Sequence, residues 1–302
     1  MIHPTMDPDG LRLRARALWA ARAWMERHGY VELPTPTLVP SPALEPTLFA
    51  VAAGDGWLRT SPEFALKRAL AAGLGRVYEI GPCFRDREHG PWHRREFTML
   101  EWYRAGAHLS DLMDEVEDLL GALADAVGSP RPRGWVRTTV RALFQQATGV
   151  DPWPLTAAEL SPRDADSWDV GFFRRWLDEV EPKLTGPVFV SDWPASQAAL
   201  ARVVERPWGR VAERFEVYLD GIELGNAFYE LTDADELRRR FQASAEARAA
   251  DGEAPHAVDE ALIAAVGRMP PTAGIAMGFD RVVAVLAGWD GVGRGRVEAT
   301  AG

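Results

Sequence analysis

Two kinds of hydrophobic patterning alternate along this chain of 302 residues. Apolar residues at helical spacing predict helices from Leu11 to His28, where Gly29 is a stop signal, and from Leu109 to Val127. Short apolar runs predict strands at 77–82 and 97–104. The remaining patterns predict a buried strand at 188–190, a hairpin over 214–228, helices at 234–250 and 259–266, a strand at 273–277 and a helix at 279–287.

The order of these elements predicts the fold class. Strands joined by hairpins and by long helical excursions favour an α+β fold, with a mostly antiparallel sheet flanked by helices. Neither an internal repeat nor a long linker interrupts the pattern, so we expect a single domain over residues 1–302. Residues 134–184 mix short helices with loops and carry no motif that indicates a function.

Composition limits the classes of function. The net charge of −10 argues against tRNA binding, because proteins that grip nucleic acid phosphates usually present a basic face. Cys83 is the only cysteine, which excludes an internal disulfide and favours a reducing compartment. The sequence has no secretory signal pattern and no uncharged apolar run of about 18 residues, so we expect a cytoplasmic protein without a membrane span.

Residues 84–103 predict a site for a phosphate and a flat base. Arg85 follows an apolar strand, and its planar guanidinium suits a phosphate because it donates two parallel hydrogen bonds. Alternation places Phe97, Glu101 and Tyr103 on one face of the next strand. A base can therefore stack on Phe97 while an ammonium group contacts Glu101 and Tyr103; a solvated strand carboxylate is the alternative for Glu101.

The hairpin centred on Asp220-Gly221 predicts a metal site. A two-residue turn there pairs Tyr218 with Glu223 and Glu216 with Gly225. The two glutamates are then diagonal neighbours about 7–8 Å apart at their Cα atoms. Carboxylates so placed favour a magnesium ion that also binds phosphate oxygens, and two exposed acids are the alternative.

The polar residues after this turn join the same site only if the strand turns them to the face that carries Glu223. Strict alternation puts Asn226 and Glu230 on the face opposite Glu223. A bulge at Gly225 would turn them toward Glu223.

A strand that passes into a helix at Gly278 forms a third candidate segment. Glycine there permits the backbone to approach a ligand closely. Arg281 in the first helical turn adds positive charge to a helix N-terminus that already favours anions. A surface arginine is the alternative.

Together these segments resemble the catalytic domain of the lysyl type of class II aminoacyl-tRNA synthetases over nearly the whole chain. Residues 84–103 resemble motif 2 of that family, and Thr35-Pro36 resembles motif 1, which implies a homodimer. Residues 1–10 precede the first predicted helix, so we expect the family's separate anticodon-binding domain to be absent. In this respect the chain is similar to the ligases that attach (R)-β-lysine to elongation factor P. Further runs that fit those ligases are 60–63, 194–198, 211–216 and 230–234.

The resemblance implies an ATP-dependent ligase that forms an acyl-adenylate of (R)-β-lysine and transfers it to a lysine of elongation factor P, with magnesium. It implies catalytic roles for Arg85 at the α-phosphate and Arg281 at the γ-phosphate. It assigns the ATP site to Arg85, Asp86, Arg87, Arg94, Phe97, Glu223, Leu224, Gly278 and Arg281. It assigns the amino-acid site to Ser61, Pro62, Glu63, Glu101, Tyr103, Asn226, Glu230 and Ala276, and the metal to Glu216 and Glu223.

The chain departs from the family pattern at several positions. Arg87 stands where the family has a glutamate that accepts from the adenine amino group, and an arginine has no acceptor. Glu88 is an alternative acceptor if the loop is shifted. Arg94-Arg95 replaces Asn-Pro, which makes the loop more basic. Ala276 replaces the glycine of tRNA-charging lysyl enzymes, and its added methyl favours β-lysine over α-lysine modestly.

Two other interpretations remain open at this point. One is a freestanding lysyl-adenylate-forming relative that serves a tRNA or a small amine. The other is a non-catalytic regulatory relative, which Arg87 supports. Retention of Arg85, Glu216, Glu223 and Arg281 argues against the second, since a regulator needs no site for magnesium and a triphosphate.

Overall fold

The computed structural model describes residues 7–43, 45–161 and 167–297. The helices are α1 (Pro8–Arg27), α2 (Glu63–Ala71), α3 (Leu109–Val127), α4 (Val140–Thr148), α5 (Ala157–Leu160), α6 (Trp168–Arg175), α7 (Ala234–Ala250), α8 (Glu260–Val266) and α9 (Phe279–Leu286). The strands are β1 (Val31–Glu32), β2 (Leu38–Val39), β3 (Val51–Ala53), β4 (Gly56–Leu58), β5 (Arg76–Phe84), β6 (Glu96–Ala105), β7 (Val136–Thr139), β8 (Pro187–Pro194), β9 (Val203–Arg206), β10 (Gly209–Leu219), β11 (Ile222–Tyr229) and β12 (Thr272–Gly278).

A nine-stranded sheet within these residues has the order β1-β5-β6-β12-β11-β10-β8-β7, with β9 paired to β10. Its central pairs are antiparallel, and only the outer pairs β1–β5 and β7–β8 run parallel. A small antiparallel sheet of β2, β4 and β3 lies apart from it. The predicted α+β class with a mostly antiparallel sheet is therefore confirmed.

Helices α1, α3 and α9 cover one face of the large sheet. The N-cap Asp7 begins α1 by accepting from the backbone N–H groups of residues 9 and 10. Gly128 ends α3 in the left-handed conformation, as a C-terminal glycine commonly does. These helices pack on Leu100, Trp102 and other apolar residues of the sheet, so the opposite face of the central strands is left for a cleft.

The hairpin of β10 and β11 corrects one predicted pairing. Tyr218 pairs with Glu223 as predicted, but Glu216 pairs with Asn226 and not with Gly225. The register shifts by one residue because Leu224 is an extra residue in β11. Asn226 therefore lies on the same face as Glu216, which is the change of face that the sequence required.

Residues 134–184, for which the sequence indicated no role, extend the sheet and build a second core. Strand β7 adds to the sheet in parallel with β8. Phe144, Phe172 and Trp176 pack together with Trp193 of β8 and are almost fully buried. A π-helical turn, Trp176–Val180, follows α6 and carries Trp176 into this core. Among the described residues, no helix has the length and apolar character that a bilayer span requires.

Candidate active site

A cleft of about 320 Å³ opens on the sheet face opposite α1, α3 and α9. Strands β6, β11 and β12 contribute to its lining, together with the loop after β5, the start of α2 and the start of α9. The predicted residues that line it are Ser61, Glu63, Arg85, Arg94, Phe97, Glu101, Tyr103, Glu223, Leu224, Asn226, Ala276, Gly278 and Arg281. Three segments that are distant in sequence thus converge on one site.

Five other predicted residues are outside the cleft lining. Pro62 precedes the first turn of α2, and Glu216 and Glu230 are buried. Asp86 pairs with Arg95 at 2.9 Å, and Arg87 turns toward another part of the chain. The structure therefore does not bring Asp86 and Arg87 to the ATP site that was expected to include them.

One end of the cleft combines an arginine with an aromatic plate. The Arg85 guanidinium carbon lies 5.2 Å from the centroid of the Phe97 ring. Nε of Arg85 is buried and has no hydrogen-bond partner among the described residues, and Nη1 lies 3.6 Å from Oε1 of Glu88. Arg94 is held by its own loop, donating to the backbone oxygens of Gly90 and His93. Arg85 is thus available for an anion beside a stacking surface.

A second arginine faces the same region from the start of α9. Arg281 donates to the backbone oxygen of Glu223 at 2.6 Å, and its Nη1 lies 3.5 Å from Oε2 of the same residue. Its Nη2 lies 2.9 Å from Nε2 of His93. Burial and the Arg281 charge lower the pKa of His93, so the ring is neutral and accepts from the guanidinium at neutral pH.

Asp280 fixes the start of α9 against the rest of the fold. Its carboxylate accepts from Nε of Arg14 at 2.9 Å, from Nη1 of Arg296 at 2.5 Å and from the backbone N–H of Thr98 at 2.8 Å. The carboxylate is 5% exposed, so each of these bonds is sheltered from water. Thr98 follows Phe97 in β6, and Asp280 precedes Arg281 in α9. Their hydrogen bond therefore fixes the distance between Phe97 and Arg281.

The two predicted metal ligands differ in their surroundings. Glu223 is partly exposed on the cleft wall. Glu216 is buried, where one carboxylate oxygen accepts from Arg214 and the other accepts from the hydroxyl of Tyr218 at 2.5 Å. Burial raises the pKa of Glu216 to about 7; Arg214 opposes the shift and the charge of Glu223 adds to it.

The opposite end of the cleft is acidic. Lys67 is almost fully buried, and its ammonium lies 2.6 Å from Glu63 and 2.5 Å from Glu230. Burial alone would lower the pKa of Lys67, but the charges of Glu230 and Glu63 raise it above its usual value. Burial raises the pKa of Glu230 to about 8 despite the neighbouring lysine. This salt-bridged triad closes the cleft behind the predicted amino-acid site.

Glu101 lies on the floor of this acidic end. The hydroxyl of Tyr103 donates to one of its oxygens at 2.6 Å, while the other oxygen is buried without a partner among the described residues. Oδ1 of Asn226 is likewise buried and unpaired there. Burial and the charge of Glu63 raise the pKa of Glu101 to about 8. The floor of the cleft thus has two oxygen atoms, on Glu101 and Asn226, that can accept hydrogen bonds from a ligand.

Two residues that sequence reasoning missed complete this end. Glu45 lines the cleft, and burial together with the charge of Glu63 raises its pKa. Lys67 was detectable, since it follows Glu63 at the helical spacing i, i+4. Four carboxyls, from Glu45, Glu63, Glu101 and Glu230, therefore share one buried lysine, which favours cationic groups in the space between them.

The mostly antiparallel sheet backed by helices, and the two arginines that face a common cleft after β5 and at the start of α9, agree with the class II synthetase domain that the sequence predicted. The chain belongs to the family of class II tRNA synthetases of the D, K and N group, whose model matches residues 6–294.

The chain is also similar to proteins named elongation factor P–(R)-β-lysine ligase. It is 41% identical to the one from Hamiltonella defensa over 237 residues, which cover 75% of this chain and 72% of that protein. It is 36% identical to the one from Yersinia enterocolitica over 309 aligned positions, covering 94% and 93% of the two chains. It is 37% identical to the one from Photorhabdus laumondii over 311 positions, again covering 94% and 93%.

Proposed function

We propose that this protein is an ATP-dependent ligase that activates (R)-β-lysine as an acyl-adenylate and transfers it to a lysine side chain of elongation factor P. The observation that carries the proposal is the polarity of the cleft, which has arginines and an aromatic ring at one end and clustered carboxyls at the other. The names of the most similar relatives support the same substrates.

The arginine end suits the nucleotide. An adenine stacked on Phe97 leaves the α-phosphate to Arg85, whose buried Nε has a free donor. Arg281 supplies the second cation, for the γ-phosphate, next to the backbone turn at Gly278. These donors are fixed before the nucleotide arrives, so little reorganisation is needed as charge builds on the phosphoryl oxygens.

Glu223 and Glu216 are the residues that would hold magnesium. The partly exposed carboxylate of Glu223 reaches the cleft beside Arg281. Each oxygen of Glu216 has two lone pairs, so its bonds to Arg214 and Tyr218 leave acceptor capacity. When bound, the ion would neutralise negative charge on the phosphates.

The acidic end suits an amino acid that carries two ammonium groups. The unpaired oxygens of Glu101 and Asn226 can each accept from an ammonium, and Glu63 and Glu230 add negative potential behind them. Ala276 places a methyl group in the same wall, which favours an amino group displaced to the β-carbon. The carboxylate of such a substrate would then point along the cleft toward Arg85.

The chemistry needs no protein nucleophile. The substrate carboxylate attacks the α-phosphate in line, which forms the acyl-adenylate and releases pyrophosphate. The amine of the acceptor lysine then attacks the acyl carbon, which forms an amide and releases AMP. The contribution of the protein is to position the reactants and to stabilise the phosphoryl charge.

Mass spectrometry of elongation factor P tests the proposal. After incubation with the protein, ATP, magnesium and (R)-β-lysine, we expect one lysine of elongation factor P to gain a lysyl residue. ATP–pyrophosphate exchange should be faster with (R)-β-lysine than with α-lysine, and Glu223→Gln should abolish it without unfolding the chain. Glu205→Gln, in an exposed ion pair with Arg210, is the matched control. Faster exchange with α-lysine and no transfer would contradict the proposal.

We further propose that the chain acts in the cytoplasm as one catalytic domain that forms a homodimer. Exposed apolar residues on elements around Thr35 support an interface: Trp19 on α1 is 75% exposed, and Val31 and Leu38 are also exposed. Light scattering at micromolar concentration should give the mass of a dimer, and Trp19→Lys should shift it to that of a monomer. A monomer before the substitution would contradict this assignment.

A further inference from the structure

The loop after β5 sends its successive side chains in different directions. Arg87 has a φ of +63°, a left-handed conformation that is uncommon for a residue with a side chain. Its guanidinium carbon lies 3.8 Å from the centroid of Phe49, and its Nη2 lies 2.7 Å from Oε1 of Glu253. The next residue, Glu88, lines the cleft instead. We call Arg87, Phe49 and Glu253 the clasp.

The clasp joins three parts of the chain. The backbone N–H of Asp86 donates to the backbone oxygen of Phe49 at 2.6 Å, which holds the loop against residues 46–49. The buried Arg248 of α7 donates to the backbone oxygens of Pro46 and Ala254, at 3.2 and 2.9 Å. Residues 46–49 are therefore hydrogen-bonded to the loop after β5 at one end. At the other end, Arg248 connects them to the segment between α7 and α8.

Glu88 is the acceptor that this arrangement presents beside Phe97. Its contact with Arg85 is 3.6 Å, which is an ion pair but too long for a hydrogen bond. Of the other two carboxylates that line this end, Glu223 faces Arg281 and is proposed to hold magnesium, and Asp280 already accepts from two arginines and a backbone N–H. Glu88 can therefore accept a hydrogen bond from a ligand when a phosphate takes its place beside Arg85.

We infer that Glu88 accepts a hydrogen bond from the exocyclic amine of the base stacked on Phe97, and that the clasp positions the loop for this contact. The inference rests on the proposed nucleotide site. An adenine presents an N–H donor at this position of its ring, whereas a guanine presents a carbonyl oxygen, which a carboxylate repels. Glu88 is thus a specificity-determining residue, while Arg87 and Glu253 are positioning residues.

Binding of three nucleotides tests the role of Glu88: ATP, GTP and purine riboside triphosphate, which lacks the exocyclic amine. We expect the unmodified protein, with magnesium, to bind ATP roughly tenfold to a hundredfold more tightly than either analogue, as for one hydrogen bond to a charged group. Glu88→Ala should remove the preference over the purine analogue, and Glu88→Gln should reduce that over GTP, because an amide can donate to the carbonyl.

Steady-state kinetics test the clasp. Arg87→Asn keeps a residue that tolerates the left-handed backbone, and Glu253→Gln keeps the size of the side chain. Both should raise the KM for ATP severalfold and reduce the preference for ATP over GTP, with kcat little changed. The exposed Glu205→Gln is the control for loss of one ion pair. A fall in kcat with an unchanged KM would overturn the positioning role.

Different results would overturn the nucleotide site and the role of Glu88. If the unmodified protein binds no ATP, the proposed function falls and this inference falls with it. If the unmodified protein prefers ATP and Glu88→Ala keeps that preference, the inference alone is overturned and the nucleotide site stands. Thermal unfolding of each variant, expected within a few degrees of the unmodified protein for a partly exposed loop residue, shows that the comparison concerns folded chains.

Discussion

The ring of Tyr103 lies directly against the backbone of Gly274. A Cβ atom on residue 274 would come within 2.1 Å of Cδ1 of Tyr103, so only glycine fits. Gly274→Ala should push the Tyr103 ring out of place and break its 2.6 Å hydrogen bond to Glu101. We expect the KM for the amino acid to rise about tenfold to a hundredfold and the KM for ATP to change little.

The matched control for that substitution is Gly75→Ala. A Cβ on residue 75 meets no atom within 4 Å, and the backbone at this residue is not in the left-handed conformation. Its activity should equal that of the unmodified protein. An equal loss in both variants would show that the effect of Gly274→Ala is not a displacement of Tyr103.

Removal of the buried lysine should destabilise the fold. Lys67→Met leaves Glu63 and Glu230 facing each other without a cation, so we expect a loss of about 3–5 kcal/mol in the free energy of unfolding at pH 8. Urea denaturation measures it. Adding Glu230→Gln should restore part of the loss, since it removes one buried charge. Lys183→Met, at an exposed lysine that donates to a backbone oxygen, is the control.

Amino-acid binding should depend on pH. The pKa of Glu101 is raised to about 8, so the empty site holds a proton at neutral pH that an incoming ammonium must displace. Affinity should therefore rise with pH between about 6 and 8, by up to about tenfold per unit for each proton released. Calorimetry in buffers of different ionisation enthalpy counts these protons. Glu101→Gln should reduce the count, and affinity that is flat over this range would contradict the assignment.

The same raised pKa has a consequence for the stability of the unliganded protein. The folded state holds a proton on Glu101 up to about pH 8, whereas the unfolded chain loses it at lower pH. The folded state thus binds more protons across this window, and its stability falls as pH rises through it. Thermal unfolding between pH 5 and 8 should show this fall from Glu101, and it should be smaller in Glu101→Gln.

Loss of Asp280 should weaken the joint between the two arginine-bearing segments. Asp280→Ala leaves Arg14 and Arg296 without their carboxylate in a partly buried place, so we expect a loss of about 3–5 kcal/mol in the free energy of unfolding. The control is Asp9→Ala, whose carboxylate is 89% exposed in its pair with Arg12, and which should have almost no effect. Denaturation of the two variants side by side checks the difference.

The periodicity of apolar and polar residues within single elements was sufficient to predict much of the candidate site. Alternation along β6 placed Phe97, Glu101 and Tyr103 on one face, and all three line the cleft. This succeeded because the period of a strand is fixed at two and β6 has no bulge in its pairing with either neighbour. The helical pattern of α3 was also sufficient, since Leu109–Val127 has one continuous apolar side.

Contacts between distant residues were not predictable in the same way. The sequence assigned Arg87 to the nucleotide, but its partner Glu253 is 166 residues away and depends on how α7 packs. The half-buried Glu45 likewise belongs to the site only through its proximity to Glu63. The shift in β11 did leave a signal, because its core-facing positions change from Ile222 and Leu224 to Ala227.

That extra residue in β11 decides which side chains of the hairpin reach the cleft. Gly225 after it has no space for a side chain, since a Cβ would lie 2.7 Å from the backbone oxygen of Ala276. If Leu224 paired regularly with Val217, Gly225 would pair with Glu216, and Asn226 would face the helical core, which would empty the cleft wall of its amide. In the evolution of this fold, insertions should therefore accumulate at the Asp220-Gly221 tip, while the bulge between Glu223 and Asn226 is kept.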